Sequence, residues 1–142
     1  MNDAGSGKNR HVAGRREARV ELEPAMAACS EARSFILATL FSWGRRPAIP
    51  LIELVATELV SNAVVHAHGE VGVFLALDGD QLSIEVSDSA PDKIPVLYDV
   101  PRGEHGYGLR IVDQLSERWG YDTEVDRKKV WASLDLNVAS TW

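Results

Sequence analysis

Glu58, Asn62 and His66 stand four residues apart in the stretch Glu-Leu-Val-Ser-Asn-Ala-Val-Val-His over 58–66. That spacing stacks the three side chains along one face of a helix. The surrounding segment is otherwise apolar, with Leu51, Ile52, Leu54, Val55, Leu59, Val60, Ala63 and Val64. A helix this apolar is expected to be largely buried, and a buried carboxylate, amide and imidazole each need partners. A metal ion and phosphate oxygens would supply them, since carboxylate and amide oxygens are hard ligands suited to a small divalent cation. Two further stretches point the same way: Ser-Asp-Ser-Ala-Pro over 87–91 and Gly-Tyr-Gly-Leu over 106–109. Asp88 offers an acceptor-only group at the end of an expected strand. Gly106 and Gly108 precede an expected helix, where bare backbone amides and the helix start can cradle phosphate.

The elements that must hold these residues follow from periodicity. Residues 1–17 are rich in Gly, Asn, Ser and Arg without apolar repeat, and read as a disordered basic arm. Arg19 to Glu23 alternates polar and apolar as a short strand does. Pro24 opens a helix over 25–41 with Met26, Cys29, Ile36, Leu37 and Leu40 on its apolar face, closed by Gly44 and Pro47. Pro50 opens the second helix, about 50–67. Val71, Val73 and Leu75 alternate, as do Leu82, Ile84 and Val86 after the hairpin signal Asp78-Gly79-Asp80. Pro91, Pro95, Pro101 and Gly103 make 91–105 a loop, and one this long in a small domain is functional more often than accidental. A helix from Gly108 to about Arg118 follows, with Leu109, Ile111, Val112 and Leu115 inward. Strands over 119–125 and 129–136 close the chain around the charged turn Asp126-Arg127-Lys128. Antiparallel hairpins with helices gathered on one face make a two-layer α/β sandwich.

The 142 residues suffice for one domain, and 45% hydrophobic with 25% charged residues is ordinary for a globular protein. No apolar run approaches a membrane span, and no apolar stretch follows the basic start as in a secretory signal. The single Cys29 cannot form an internal disulfide and reads as a small buried thiol. These features fit a cytoplasmic protein. The net charge of −6 is uneven: five basic against two acidic side chains leave +3 in residues 1–19, so the remainder carries −9. An acidic body argues against a phosphate-backbone surface, so direct nucleic-acid binding is not expected. Among the aromatic residues, Trp43, Trp119, Tyr121 and Trp131 suit core or sheet-face packing.

In order and at these separations, the three stretches resemble the conserved boxes of the GHKL (Bergerat-fold) ATPase superfamily. Residues 58–66 look like its N box, Val86 to Pro91 its first glycine box, and Gly106 to Leu109 its second. The chain is most similar to the short single-domain proteins of the anti-sigma factor and serine-protein kinase type, and Arg118-Trp119-Gly120 and Lys129-Val130-Trp131 fit that subgroup. The likeness covers about 18–136, which places an ATP-binding domain over 18–137 and a tail over 138–142. Two positions depart from the pattern: Ala90 stands where Gly is frequent, and Tyr107 where close relatives often carry Arg.

The resemblance implies a Bergerat-type α/β sandwich with a mixed, mostly antiparallel sheet, and ATP with Mg²⁺ as ligands. Glu58 would be the general base and Asn62 the metal ligand. Asp88 would read adenine by accepting from its exocyclic amine, disfavouring guanine at that position. Ala90, Gly106, Tyr107, Gly108 and Leu109 would line the nucleotide, with 92–105 as a lid. His66 would touch phosphate or a nearby water, or else serve as a structural histidine. Arg110 reaches a phosphate or a partner, or is solvated. The implied function is an ATP–Mg²⁺ regulator that phosphorylates a serine on a STAS-type anti-sigma factor antagonist, with a sigma factor as a second partner and a homodimer as its assembly. The competing reading is a nucleotide-dependent binding module that sequesters its partner without kinase turnover. A complete histidine kinase would also need a helical pair carrying a phosphoacceptor histidine, for which these residues leave no room.

Overall fold

The computed structural model describes residues 3–4, 7–12, 14–46, 49–66, 69–89 and 110–139. Their strands are β1 (Asp3–Ala4), β2 (Gly7–Val12), β3 (Arg15–Leu22), β4 (Val71–Asp78), β5 (Gln81–Asp88), β6 (Arg118–Thr123) and β7 (Lys128–Asp135). The helices are α1 (Ala27–Ser42), α2 (Ile49–His66), α3 over 110–115 and α4 (Leu136–Ala139). The strands form a seven-stranded sheet in the order β1-β2-β3-β4-β5-β7-β6, and every pairing among them is antiparallel.

Cross-strand register explains where the core sits. Val20, Val73, Val86 and Val130 are successive partners across β3, β4, β5 and β7, and Ala18, Leu75, Ile84 and Ala132 form the next row. All eight are buried, on the face covered by α1 and α2. The opposite face carries Arg19, Phe74, Glu85, Trp131 and Gly120 in one row and has no helix layer among the described residues. Alternating residues point to opposite faces of a strand, so this two-sided pattern is the expected apolar-in, polar-out reading of a two-layer sandwich.

Helix α1 buries Ala28, Ala32, Ile36, Thr39 and Leu40, which recur at helical spacing. Its end is set by Gly44, at φ 78°, a left-handed conformation that a side chain disfavours. Gly44 N–H donates to Phe41 O and Arg45 N–H to Leu40 O, the double bond pattern of a Schellman cap. Arg45 then ties this end to the β4–β5 turn, donating to Gly79 O at 2.9 Å and pairing with Asp80 at 2.6 Å. Asp80 also takes the Asn137 amide at 2.6 Å, so one aspartate joins α1, the hairpin and α4.

The N-terminal expectation needs correcting. Residues 7–12, expected in a disordered arm, are described as strand β2, between β1 and β3 and paired with β3 from Gly7↔Val20 to Val12↔Arg15, and β3 itself begins at Arg15. Strand pairing is made by backbone groups, so a strand can pair without apolar alternation in its side chains. The described strands pair antiparallel throughout, in keeping with the mostly antiparallel sheet expected, and Leu136–Ala139 turns helical after β7. The remaining elements lie within a few residues of their expected bounds.

Candidate functional site

Helix α2 lays Ile52, Val55, Ala56, Leu59, Val60 and Ala63 into the core against α1 and β5. Glu58 and Asn62 lie one turn apart along the flank of that buried face, each half-buried. They are held there by the apolar side chains around them rather than by their own polarity, because burying the rest of the helix fixes its rotation. Glu58 engages a neighbour within the protein, and Arg33 of α1 donates to Thr57 Oγ1 at 3.0 Å beside it. The Cys29 thiol donates to Thr57 O at 4.0 Å. Burial raises the pKa of this thiol; Arg33 opposes the shift and Glu58 adds to it, which places all three groups in one electrostatic neighbourhood.

Asp88 is the last residue of β5 and shares the helix-side face with Leu82, Ile84 and Val86. Its cross-strand partner is Lys128, the first residue of β7. Both are 0% exposed. Lys128 Nζ lies 3.5 Å from Asp88 Oδ2. An ion pair therefore continues the apolar rows of the sheet by one step, at the end away from the β4–β5 turn. Nearby, Arg127 Nη2 donates to Ser87 Oγ at 3.1 Å, fastening the start of β7 to the end of β5. Helix α3 is anchored to β6 by Trp119 Nε1 donating to Asp113 Oδ1 at 2.8 Å.

Of the residues singled out by sequence, Glu58, Asn62 and Asp88 are thus placed on α2 and β5, two elements in contact. His66 ends α2, and its side chain lies outside the described residues. Ala90, Gly106, Tyr107, Gly108 and Leu109 lie outside them as well, and so does the lid over 92–105. Lys128, expected in the charged turn Asp126-Arg127-Lys128, is instead the buried first residue of β7. The signal was its parity: Lys128, Val130, Ala132 and Leu134 alternate onto one face, so a strand starting one residue earlier turns the lysine inward.

The donors fit the ligand that the boxes imply. The Asn62 amide offers an oxygen to a small hard cation, which keeps further positions for water and phosphate. Two clefts among the described residues do not belong to this chemistry. One is lined by Phe41, Gly44, Arg45 and Arg46, the other by Gly14, Arg16, Trp43, Arg45, Leu77 and Gly79, both near the opposite end of the sheet from Asp88. Among the described residues no helix is long and apolar enough to cross a membrane.

Comparison with known proteins supports the architecture. The profile described as histidine kinase-like ATPase domain matches residues 13–134. Comparison with curated proteins gives no match. The fold is similar to that of the RsbU and RsbW domains of Rv1364c from Mycobacterium tuberculosis, with TM-score 0.61 and 19% identity over 83% of this chain. This chain spans 32% of that one. It is also similar to Acinetobacter baumannii histidine kinase AdeS, with TM-score 0.50 and 14% identity, covering 84% of this chain and 68% of the other.

Proposed function

This chain belongs to the histidine kinase-like ATPase domain family, within the GHKL superfamily, and from that premise we propose that it is an ATP–Mg²⁺-binding regulator that phosphorylates a serine on a partner protein. The observation that carries the reading is the half-buried Glu58–Asn62 pair on α2, packed against the strand that ends in buried Asp88. The resemblance of the three boxes to the anti-sigma factor and serine-protein kinase type supports a STAS-type anti-sigma factor antagonist as the substrate. By the same resemblance a sigma factor is the competing partner and a homodimer the working assembly.

Asn62 holds the ion through its amide oxygen, and Asp88 orients the nucleotide by accepting a hydrogen bond from its base. Glu58 accepts the proton of the serine hydroxyl as the serine oxygen bonds to the γ-phosphorus and the bond to the ADP oxygen breaks. Mg²⁺, when bound, neutralises charge on the transferring phosphoryl group. The rest of the rate comes from holding the reactants in place, since phosphoryl transfer asks little covalent chemistry of the protein.

Calorimetric titration with ATP, with and without Mg²⁺, tests the binding, and phosphate incorporation into a STAS-type partner tests the transfer. Glu58→Gln should leave Mg–ATP affinity within about twofold while lowering phosphotransfer by roughly 10²–10⁴. Equal loss of binding and transfer would remove Glu58 from the role of base. Binding of ATP without any transfer from the unaltered protein would leave a nucleotide-dependent binding module.

A further inference from the structure

Strand β6 ends the sheet, and among the described residues no strand pairs with its outer edge. An edge guarded against pairing carries lysine, proline or a bulge. Arg118–Thr123 has neither lysine nor proline, and its pairing with β7 runs without a bulge from Arg118↔Ser133 to Thr123↔Lys128. Its backbone groups therefore offer a template for another strand.

The side chains say which strand fits. Arg118, Gly120 and Asp122 share the open face of the sheet, whereas Trp119 and Tyr121 share the helix side with their partners Ala132 and Val130. Arg118 and Asp122 are exposed, and neither has an ion-pair partner among the described residues. Lys129, opposite Asp122, pairs instead with Glu124 at 3.8 Å. Four steps of strand hold Arg118 and Asp122 about 13 Å apart, so they cannot neutralise each other within one protomer.

A two-fold antiparallel pair must match residues of the same face, so its axis passes through a residue rather than between two. With the axis at Gly120, Arg118 faces Asp122 of a second copy and Asp122 faces Arg118 of that copy. Trp119 then faces Tyr121, which is 41% exposed in the single chain. The two glycines meet at the axis, where any side chain would face its own copy. Opposite charges and aromatic pairs directly across strands each favour pairing. An axis at Trp119 sets Arg118 against glycine, and one at Tyr121 does the same to Asp122.

We propose that two copies of this chain pair antiparallel through β6 about Gly120, extending the sheet of one copy into the other. The proposal gives the homodimer of the reading above its interface, and rests on that assembly but not on the nucleotide chemistry. A single six-residue edge is a small contact, so the expected dissociation constant lies in the micromolar range.

Sedimentation velocity of the full chain over about 1–500 μM measures the association. Arg118→Glu and Asp122→Arg each set like charges opposite one another, twice by symmetry, and each should raise the dissociation constant about tenfold or more. Mixing the two variants sets every carboxylate against a guanidinium, so the mixture should associate as the unaltered protein does. Both changes in one chain should do the same. The two positions are exposed, so circular dichroism should show the fold retained. A dimer whose affinity neither single change alters would place the interface elsewhere, overturning this proposal while the homodimer stands. Association that neither the mixture nor the double change restores would overturn pairing about Gly120. A chain monomeric over the whole range would remove the homodimer and its interface together, with the phosphotransfer reading untouched.

Discussion

The indole of Trp131 packs over Gly120, its cross-strand partner on the open face of the sheet, so closely that a methyl group on Gly120 would stand 2.8 Å from Cζ2 of the ring. The contact lets a large apolar ring lie flat on β6, an edge strand with little other cover. Gly120→Ala should therefore destabilise the protein by about 1–3 kcal/mol through overpacking. A lowered urea midpoint with unchanged slope is the expected readout. In a Trp131→Val background the same substitution should cost almost nothing, and equal losses in both backgrounds would show that the ring is not the cause.

The Asp88–Lys128 pair gives a stability prediction separate from any ligand. Asp88→Ala leaves the ammonium of Lys128 buried without its carboxylate, at an expected cost of about 3–5 kcal/mol. The double change Asp88→Ala with Lys128→Met removes both charges and should recover much of that loss. A double-mutant cycle in urea measures the difference, and simple additivity of the two single changes would mean the charges do not interact.

Cys29 gives the protein a pH dependence at the alkaline end. Burial raises its thiol above the ordinary 9.0, and the nearby Arg33 only partly offsets this while Glu58 reinforces it. The folded protein thus keeps the proton to higher pH than the unfolded chain does. That contribution is complete below about pH 9 and is lost as pH rises through the folded value. Unfolding free energy measured from pH 8 upward should fall more steeply in the unaltered protein than in Cys29→Ala, and parallel curves would dismiss the effect. Alkylation at pH 8 should likewise be slower than for a free thiol.

The metal role proposed for Asn62 separates ion binding from nucleotide binding. Asn62→Ala should reduce affinity for Mg–ATP to the level measured without the ion, while metal-free ATP binding changes little. The helix should keep its place, because the residues that bury it are Ile52, Val55, Leu59 and Val60. Unchanged Mg²⁺ dependence would move the ion site elsewhere.

Much of this arrangement was legible in residue order because two periodicities dominate it. The alternation of Val71, Val73 and Leu75 and of Leu82, Ile84 and Val86 gave both central strands, and the apolar stripe of α2 gave its rotation and hence the side on which Glu58 and Asn62 stand. Two things were not legible, each for a physical reason. The pairing of Gly7–Val12 with β3 is made by backbone groups that carry no side-chain signature. The inward turn of Lys128 depends on a strand boundary one residue earlier than its charged neighbours imply, and a one-residue shift reverses every side chain. A lysine beside two other charges reads as solvent-facing unless the parity of the following strand is carried back through it.

The strand order has a consequence for how the chain is made. β7 follows β6 in the chain yet inserts between β5 and β6, so a strand made later than both covers the outer edge of β5 and brings Lys128 to Asp88. A nascent chain that has released β3, β4 and β5 presents β5 as an open edge, with the Asp88 carboxylate at its tip, until residues 128–135 leave the ribosome. Synthesis therefore passes through a stage in which the helices already have a sheet to pack on, yet the Asp88 end of β5 is uncovered and its hydrogen-bonding edge is exposed to other chains. Ribosome-arrested chains of increasing length should show protease protection of β5 rising only once β7 has emerged. The step that adds β7 to the sheet is also the step that buries the Asp88 carboxylate beside Lys128.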